Sequence, residues 1–584
     1  MASGVPLQPE IDAVDPQNLV AEGLIHEAMA QGMTRRELFG RAVALGLGGS
    51  AMAMILAACG ATPAATPGGA TAAPGGATAA PGGASSAAGG PVQRLLVASG
   101  ADAVTLDPGI SFDGQSPLLW RAAYEPLVQY KDNTTEIIPH LAEKFEVSPD
   151  KLTYTFTIRQ GVTFHDGEPF NAAAVKANID RQIKLNQGIA FGLAPVASVE
   201  TPDAWTVVVK LKSFVDGFLS VFAGMYTVRM ISPKVLAANA TDLAQAYLHD
   251  HMVGTGPYKL DSYTQSQQAL FSRNDQYWGG WDGSHLSQIA IQYVHEPSSE
   301  QLQLQQGSLD VAMFLPDDSV ESLDGRPGIS VTNVPSYNLY YLYLPCKKGP
   351  TANKAVRQAI SYGFDYGTWI NDIMKGKAVQ AHGPIPSDFP GYAKDLPQYS
   401  FQPDKARQML AQAGYPNGGF TLKYTYETGY FWKRPLGELF QSNMKDLGIT
   451  VEIQELSPSA WAAQLSNPET AEHAFGVVWW PTIATPFDYL WSLFATSAQG
   501  TAGYNWGYYS SPEFDKILTQ ANSESDDVKR AELYAQCQRL VVEDAPALFV
   551  YEKNYRLPMR SNVQGFQFNG IYIETLNYHE MSKV

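Results

Sequence analysis

The chain has 584 residues, 45% hydrophobic and 17% charged, which is ordinary for a folded protein and too long for one hydrophobic core. Its net charge of −17, with no run of Lys or Arg, argues against a nucleic-acid partner, because such a surface repels phosphate. The three cysteines, Cys59, Cys346 and Cys537, form no CxxC pair and no Cys/His ligand spacing, so no metal and no cofactor is expected. Cys346 and Cys537 are expected as free, buried thiols, their pairing left open because spacing cannot place two Cα atoms within bonding reach.

The first ninety residues read as an address and a tether. Thr34-Arg35-Arg36-Glu37-Leu38-Phe39 resembles a twin-arginine export signal, with the general secretory route as the alternative. Both arginines sit deep, so Met29 and Met33 are alternative starts. The apolar stretch from Ala42 to Ala58 has 17 residues, four of them Gly or Ser, which is short for a spanning helix. It ends in Leu56-Ala57-Ala58-Cys59-Gly60, which resembles a bacterial lipobox and implies lipidation through the Cys59 sulfur. Residues 1–59 are thus expected to be the signal segment, and 60–91 a linker of Ala, Gly, Pro, Thr and Ser. The linker carries Gly-Gly-Ala-Thr-Ala-Ala-Pro twice, at 68–74 and 75–81. Such a composition cannot offset its ordering entropy, and a coil of that length spans about 30 Å. The expected location is a membrane-anchored lipoprotein on a periplasmic or extracellular face.

After Val92 the pattern becomes α/β. Leu152, Tyr154, Phe156 and Ile158 alternate as a half-buried strand, and Trp205, Val207, Val209 and Leu211 as a second. Between them Asn171 caps a helix carrying Val175, Ile179 and Ile183 on one face. Tyr337, Tyr340, Tyr341 and Tyr343 alternate so that about half should pack inward. Pro403 opens a helix with Ala406, Met409, Leu410 and Ala413 inward, closed by Gly414. Leu422, Tyr424 and Tyr426 form a strand, Leu436, Leu439, Phe440 and Leu447 a helical stripe stopped by Gly448, and Ile449, Val451 and Ile453 another strand.

Several motifs then follow in order. Tyr124-Glu125-Pro126-Leu127 and Pro139-His140-Leu141-Ala142-Glu143 precede the long run Thr153 to Asp166-Gly167, with Pro169-Phe170 and the Asn171 helix behind it. Next come Gly254-Thr255-Gly256-Pro257-Tyr258, Arg273-Asn274-Asp275-Gln276-Tyr277-Trp278, Gln305 to Asp310, Val356 to Tyr362, Ala406 to Tyr415 and Ser511-Pro512-Glu513-Phe514-Asp515. Together they resemble the family 5 extracellular solute-binding proteins, the peptide- and nickel-binding group. That resemblance implies a three-lobed α/β fold of the type II periplasmic-binding-protein kind. Lobe I would be discontinuous (92–128, 255–335 and 556–584), lobe II an insertion (129–254), and lobe III would span 336–555. Crossovers near 335 and 555 would hinge a ligand cleft between lobes I and III. It also implies a monomer that captures a small ligand and hands it to an ABC permease in the membrane.

In peptide-binding relatives the stretch after the strand Phe475–Val478 carries an acid that pairs with the ligand's amine. Here Thr482 and Thr485 stand at those places and Asp488 lies near. The expected ligand-binding residues are Trp480, Asp488, Tyr504, Asn505, Trp506, Tyr340 and Tyr341. A peptide is the first expectation, an oligosaccharide the alternative because rings are abundant and acids absent, and a nickel chelate the third. A sensor presenting its ligand to a receptor would use the same fold. No enzyme is expected: Gly-x-Ser-x-Gly, His-Glu-x-x-His and a phosphate-cradling loop are all missing. His249-Asp250-His251 could chelate a metal, but two imidazoles alone seldom complete a site.

Overall fold

The alternating residues 153–158 form the strand Thr153–Ile158, with Tyr154, Phe156 and Ile158 buried. It lies in a four-stranded antiparallel sheet ordered Ala142–Val147, Thr153–Ile158, Thr206–Leu211, Val196–Asp203. The computed structural model describes residues 93–584 apart from 284 and 472, so the expected signal segment, Cys59 and the linker lie outside the described residues. Helix Ala172–Leu185 covers this sheet, its first turn capped by the Asn171 side chain, which accepts from the Ala174 N–H at 3.0 Å. Val175 and Ile179 face inward as expected, but Ile183 is 42% exposed. Each four-residue step overshoots a full turn by about 40°, so the third member drifts off the face. Gln182 turns inward instead and donates to the Gly109 and Gln187 carbonyls, both at 2.8 Å.

A seven-stranded sheet is assembled from distant parts of the chain. Its order is Ile329–Val334, Tyr555–Arg560, Val311–Ala312, Arg94–Ser99, Gln288–Tyr293, Gln268–Arg273, Tyr258–Thr264. Arg94–Ser99 sits centrally, parallel to both Gln288–Tyr293 and Val311–Ala312. The six-stranded sheet draws only on residues between Ile329–Val334 and Tyr555–Arg560. Its order is Ala378–Gln380, Ala547–Lys553, Leu339–Tyr343, His473–Trp479, Thr421–Glu427, Thr450–Leu456. Two short connections therefore join the sheets, 335–338 and Asn554. They are bonded side by side: the Ser336 hydroxyl donates to the Lys553 carbonyl at 2.6 Å, and the Asn554 N–H to the Lys377 carbonyl at 3.3 Å.

The tyrosine strand departs from expectation. All five residues of Leu339–Tyr343 are buried, not half of them. It is an inner strand, paired with Ala547–Lys553 on one side and His473–Trp479 on the other, and both its faces are covered. Such a strand has no solvent side for alternate residues to occupy. The helices Pro403–Gln412 and Lys433–Lys445 pack as their stripes require, with Ala406, Leu410, Leu436 and Phe440 buried. Cys346 and Cys537 are both free thiols; Cys537 is buried and Cys346 half-buried. No helix among the described residues is long and apolar enough to cross a membrane.

Candidate ligand cleft

Strand His473–Trp479 leaves the six-stranded sheet into a loop, Trp480 to Thr485, and helix Pro486–Phe494 begins at once. Against that loop packs the segment 214–226, which follows the four-stranded sheet. Gly217 lies flush on Thr485, Gly224 on the Thr482 carbonyl, and the Ala484 N–H donates to the Tyr130 phenol at 3.3 Å. Ion pairs extend this contact. Asp216 sits 3.0 Å from Arg530 and accepts from the Tyr534 phenol at 2.9 Å, while Lys151 reaches Asp527 at 2.8 Å.

Beside this contact the rings behave in a telling way. Tyr430 is 47% exposed and Tyr504 is 37% exposed. Crowding by the surrounding protein nevertheless pushes both phenols up, Tyr430 to about 12. Both rings are therefore partly open to water and partly packed against protein. Tyr504 stands edge-on to Trp479 at 4.9 Å and beside Trp506 at 5.4 Å, and Trp506 meets Trp461 at 5.3 Å. Trp480 is half-buried. Of the expected residues, the structure thus gathers Trp480, Tyr504 and Trp506, with the Tyr226 phenol in electrostatic reach of Tyr504 and next to Trp480.

The other four are turned elsewhere. Asn505 is buried, its amide donating to the Ala495 carbonyl at 2.9 Å and the Tyr509 carbonyl at 2.8 Å, which locks its own loop. Asp488 is buried too. Its carboxylate accepts from the Thr482 N–H at 3.0 Å, from the Thr482 hydroxyl, and from the Trp479 indole at 3.2 Å. Burial outweighs those bonds and raises it to about 6. Tyr341 is fully buried and donates to the Pro384 carbonyl at 2.8 Å. Tyr340 stacks on Tyr551 at 4.1 Å and meets Trp432 edge-on at 4.9 Å. His249 and His251 are exposed, and among the described residues no group of three or more His, Cys, Asp or Glu side chains could hold a metal ion.

Three charged residues that sequence reasoning passed over also belong here. Lys433 and Glu427 form a buried pair, the ammonium 2.6 Å from each carboxylate oxygen. Burial pulls Lys433 down to about 8 against the attraction of Glu427. Its ammonium lies 4.2 Å from the Trp461 ring centre and 4.6 Å from that of Tyr430. The third is Glu574, half-buried, whose charge is felt by Tyr226, Tyr340, Tyr430 and Tyr555. A signal for it was present, since Glu574 is the one charge in the apolar run from Ile571 to Leu576.

Comparison with known proteins settles the ancestry. The family model for bacterial extracellular solute-binding proteins, family 5 middle, matches residues 136–501, more than half of the chain. The chain belongs to this family. It is 31% identical over 497 residues to the protein named "Probable D,D-dipeptide-binding periplasmic protein" of Escherichia coli (strain K12), covering 84% of this chain and 95% of that one. It is 28% identical over 464 residues to the glutathione-binding protein of Pectobacterium atrosepticum, covering 78% and 88%. Among solved structures it resembles the ABC transporter-associated periplasmic binding protein from Helicobacter pylori in complex with peptide STSA. The TM-score is 0.73 at 26% identity, covering 84% of this chain and 98% of that one.

In this family 5 protein the motifs that carry the resemblance build scaffold next to one another. Glu125 is buried and accepts from His140 at 2.9 Å, Thr255 at 2.8 Å, Tyr277 at 2.7 Å and Trp278 at 2.9 Å. Gly254 and Gly256 press on Ala123, where any Cβ would collide with its backbone, and so hold Thr255 in place. Four separate motifs thus meet at one carboxylate.

Proposed function

We propose that this family 5 solute-binding protein captures a short peptide and delivers it to an ABC permease. In this reading the seven-stranded sheet belongs to lobe I and the six-stranded sheet to lobe III, with the lobe boundaries at 128, 254, 335 and 555 expected above. The observation that carries the reading is the crowded yet water-accessible ring set, Tyr430, Tyr504, Trp480 and Trp506, beside the two connections between the sheets. A ligand touching both lobes favours the closed arrangement by its differential affinity, and closure is what a permease would sense. The names of similar proteins, for a D,D-dipeptide, glutathione and the peptide STSA, support a peptide as ligand. The protein acts as a binder, not an enzyme.

Thermal melting of the purified protein against short peptides, cello- and xylo-oligosaccharides and nickel chelates tests this. A ligand at a hundred times its Kd stabilises the fold by about 2.7 kcal/mol. The expected result is a shift with peptides. A shift with sugars alone moves the assignment to oligosaccharide import, which the abundance of rings would then serve.

The same reading anchors the protein through a lipid on Cys59, supported by the lipobox-like Leu56-Ala57-Ala58-Cys59 and the Ala/Gly/Pro linker behind it. In producing cells, Cys59→Ser should move the protein out of the membrane fraction. Retention of that variant in the membranes would count against the anchor.

A further inference from the structure

The carboxylates around the cleft differ in one respect: whether anything neutralises or caps them. Glu427 is paired with Lys433 at 2.6 Å. Asp488 is capped by Thr482 and Trp479. Asp113 accepts from the N–H groups of Gln115 at 2.9 Å and Ser116 at 2.8 Å, from the Ser116 hydroxyl at 2.7 Å, and from Ser111. Asp317 is paired with Lys553 at 2.8 Å. Glu574 alone among these has no hydrogen bond and no ion pair, although it is half-buried.

The chain is shaped to hold it there. Glu574 adopts φ +58°, a left-handed conformation that costs a non-glycine residue energy. The turn is fixed from below by the Thr575 hydroxyl, which donates to the Tyr572 carbonyl at 2.7 Å, and by Asn569, which accepts from the Ile571 N–H at 2.9 Å. Opposite, Gly114 makes room: a Cβ there would stand 2.9 Å from a Glu574 carboxylate oxygen. The titratable groups within electrostatic reach of the carboxylate are the phenols of Tyr226, Tyr340, Tyr430 and Tyr555 and the ammonium of Lys553, which is already committed to Asp317. A half-buried carboxylate with no partner of its own is a recognition site for an organic cation, which it would hold by a charge-assisted hydrogen bond.

We propose that Glu574 is the counter-charge for the ammonium group of the ligand, the role that Asp488 is too capped to fill. This rests on the peptide reading above and names the atom that reads the peptide's amino terminus. It also explains the cost accepted in the ligand-free protein, where burial pushes the Glu574 carboxyl up to about 7. An ammonium would draw that proton off, so affinity should rise as pH increases through neutrality.

The test exposes the full-length protein to a pooled library of unmodified di- to pentapeptides and identifies the bound species by native mass spectrometry. The captured peptide and its N-acetylated form are then titrated calorimetrically against wild type and Glu574→Gln across pH. Both acetylation and Glu574→Gln should weaken binding roughly 10- to 100-fold, and the variant's affinity should lose its rise through neutral pH. Melting of the ligand-free variant at or above the wild-type temperature certifies its fold, since Gln removes a buried charge. If the acetylated peptide binds as well, or the variant binds as tightly with the same pH profile, the role of Glu574 is overturned while the peptide reading stands. If no peptide is captured, the peptide reading fails and takes the assignment with it.

Discussion

Glu125→Ala should lower the unfolding free energy by about 3–5 kcal/mol, the range found when one partner of a buried charged network is removed. Four donors, from His140, Thr255, Tyr277 and Trp278, converge on this carboxylate within 2.9 Å. Alanine leaves all four facing a void, and each unsatisfied buried donor adds its own desolvation cost. The loss should also show in pH. Burial opposes ionisation of Glu125, yet the His140 charge and the hydrogen bonds from His140, Trp278 and Tyr277 outweigh it and set the carboxyl below its usual 4.5. A lowered carboxyl contributes stability that is present above pH 4.5 and lost as pH falls through the folded-state value. The variant should therefore melt lower at neutral pH and lose less than wild type on further acidification. A neutral-pH melting curve superimposable on the wild type would remove Glu125 from this role.

Lys433→Met should cost a similar amount, about 3–5 kcal/mol, because it strands Glu427 as an unpaired buried carboxylate. Both residues are almost fully buried, with side-chain exposures of 3% and 7%, so solvent cannot take over the missing charge. Pairing the change with Glu427→Leu should restore most of the loss, since two apolar side chains can replace a buried pair at little cost. Binding should not recover with it. The Lys433 ammonium lies 4.6 Å from the centre of the Tyr430 ring, and Tyr430 lines the cleft. Denaturant melts read the stability, and peptide titration reads the cleft. A single Lys433→Met variant as stable as wild type would show that Glu427 finds another partner.

These two residues mark how differently scaffold and cleft declared themselves in the sequence. The Glu125 neighbourhood was legible because its contributors, Tyr124-Glu125, His140, Gly254-Thr255-Gly256 and Tyr277-Trp278, each sit in an ordered motif. Of the seven residues expected to bind ligand, Trp480, Tyr504 and Trp506 lie near one another as partly exposed rings. Asn505 and Asp488, close to them in sequence, and Tyr340 and Tyr341, far from them, are spent on their own loops and strands. Sequence position does not reveal which side chains a hydrogen bond turns inward, as it does Asn505, Asp488 and Tyr341.

The local order of residues accounts for the elements and the lineage. Alternation at 154, 156 and 158 makes a strand, Asn171 starts a helix, and the ordered motifs carry the family. Burial and charge partnership lay beyond it. Leu339–Tyr343 reads as an alternating strand, yet it is buried on both faces because a separate apolar cluster packs on each, Tyr341 and Tyr343 in one and Tyr340 and Leu342 in the other. Glu574 is the one charge in its apolar run, but that it is held against Gly114, 460 positions away, shows only in the folded chain. Asp488 and Glu427 find their caps and partner within ten residues, whereas Asp317 meets Lys553 and Glu574 meets Gly114 across hundreds of positions, distances that exist only once the sheets have packed.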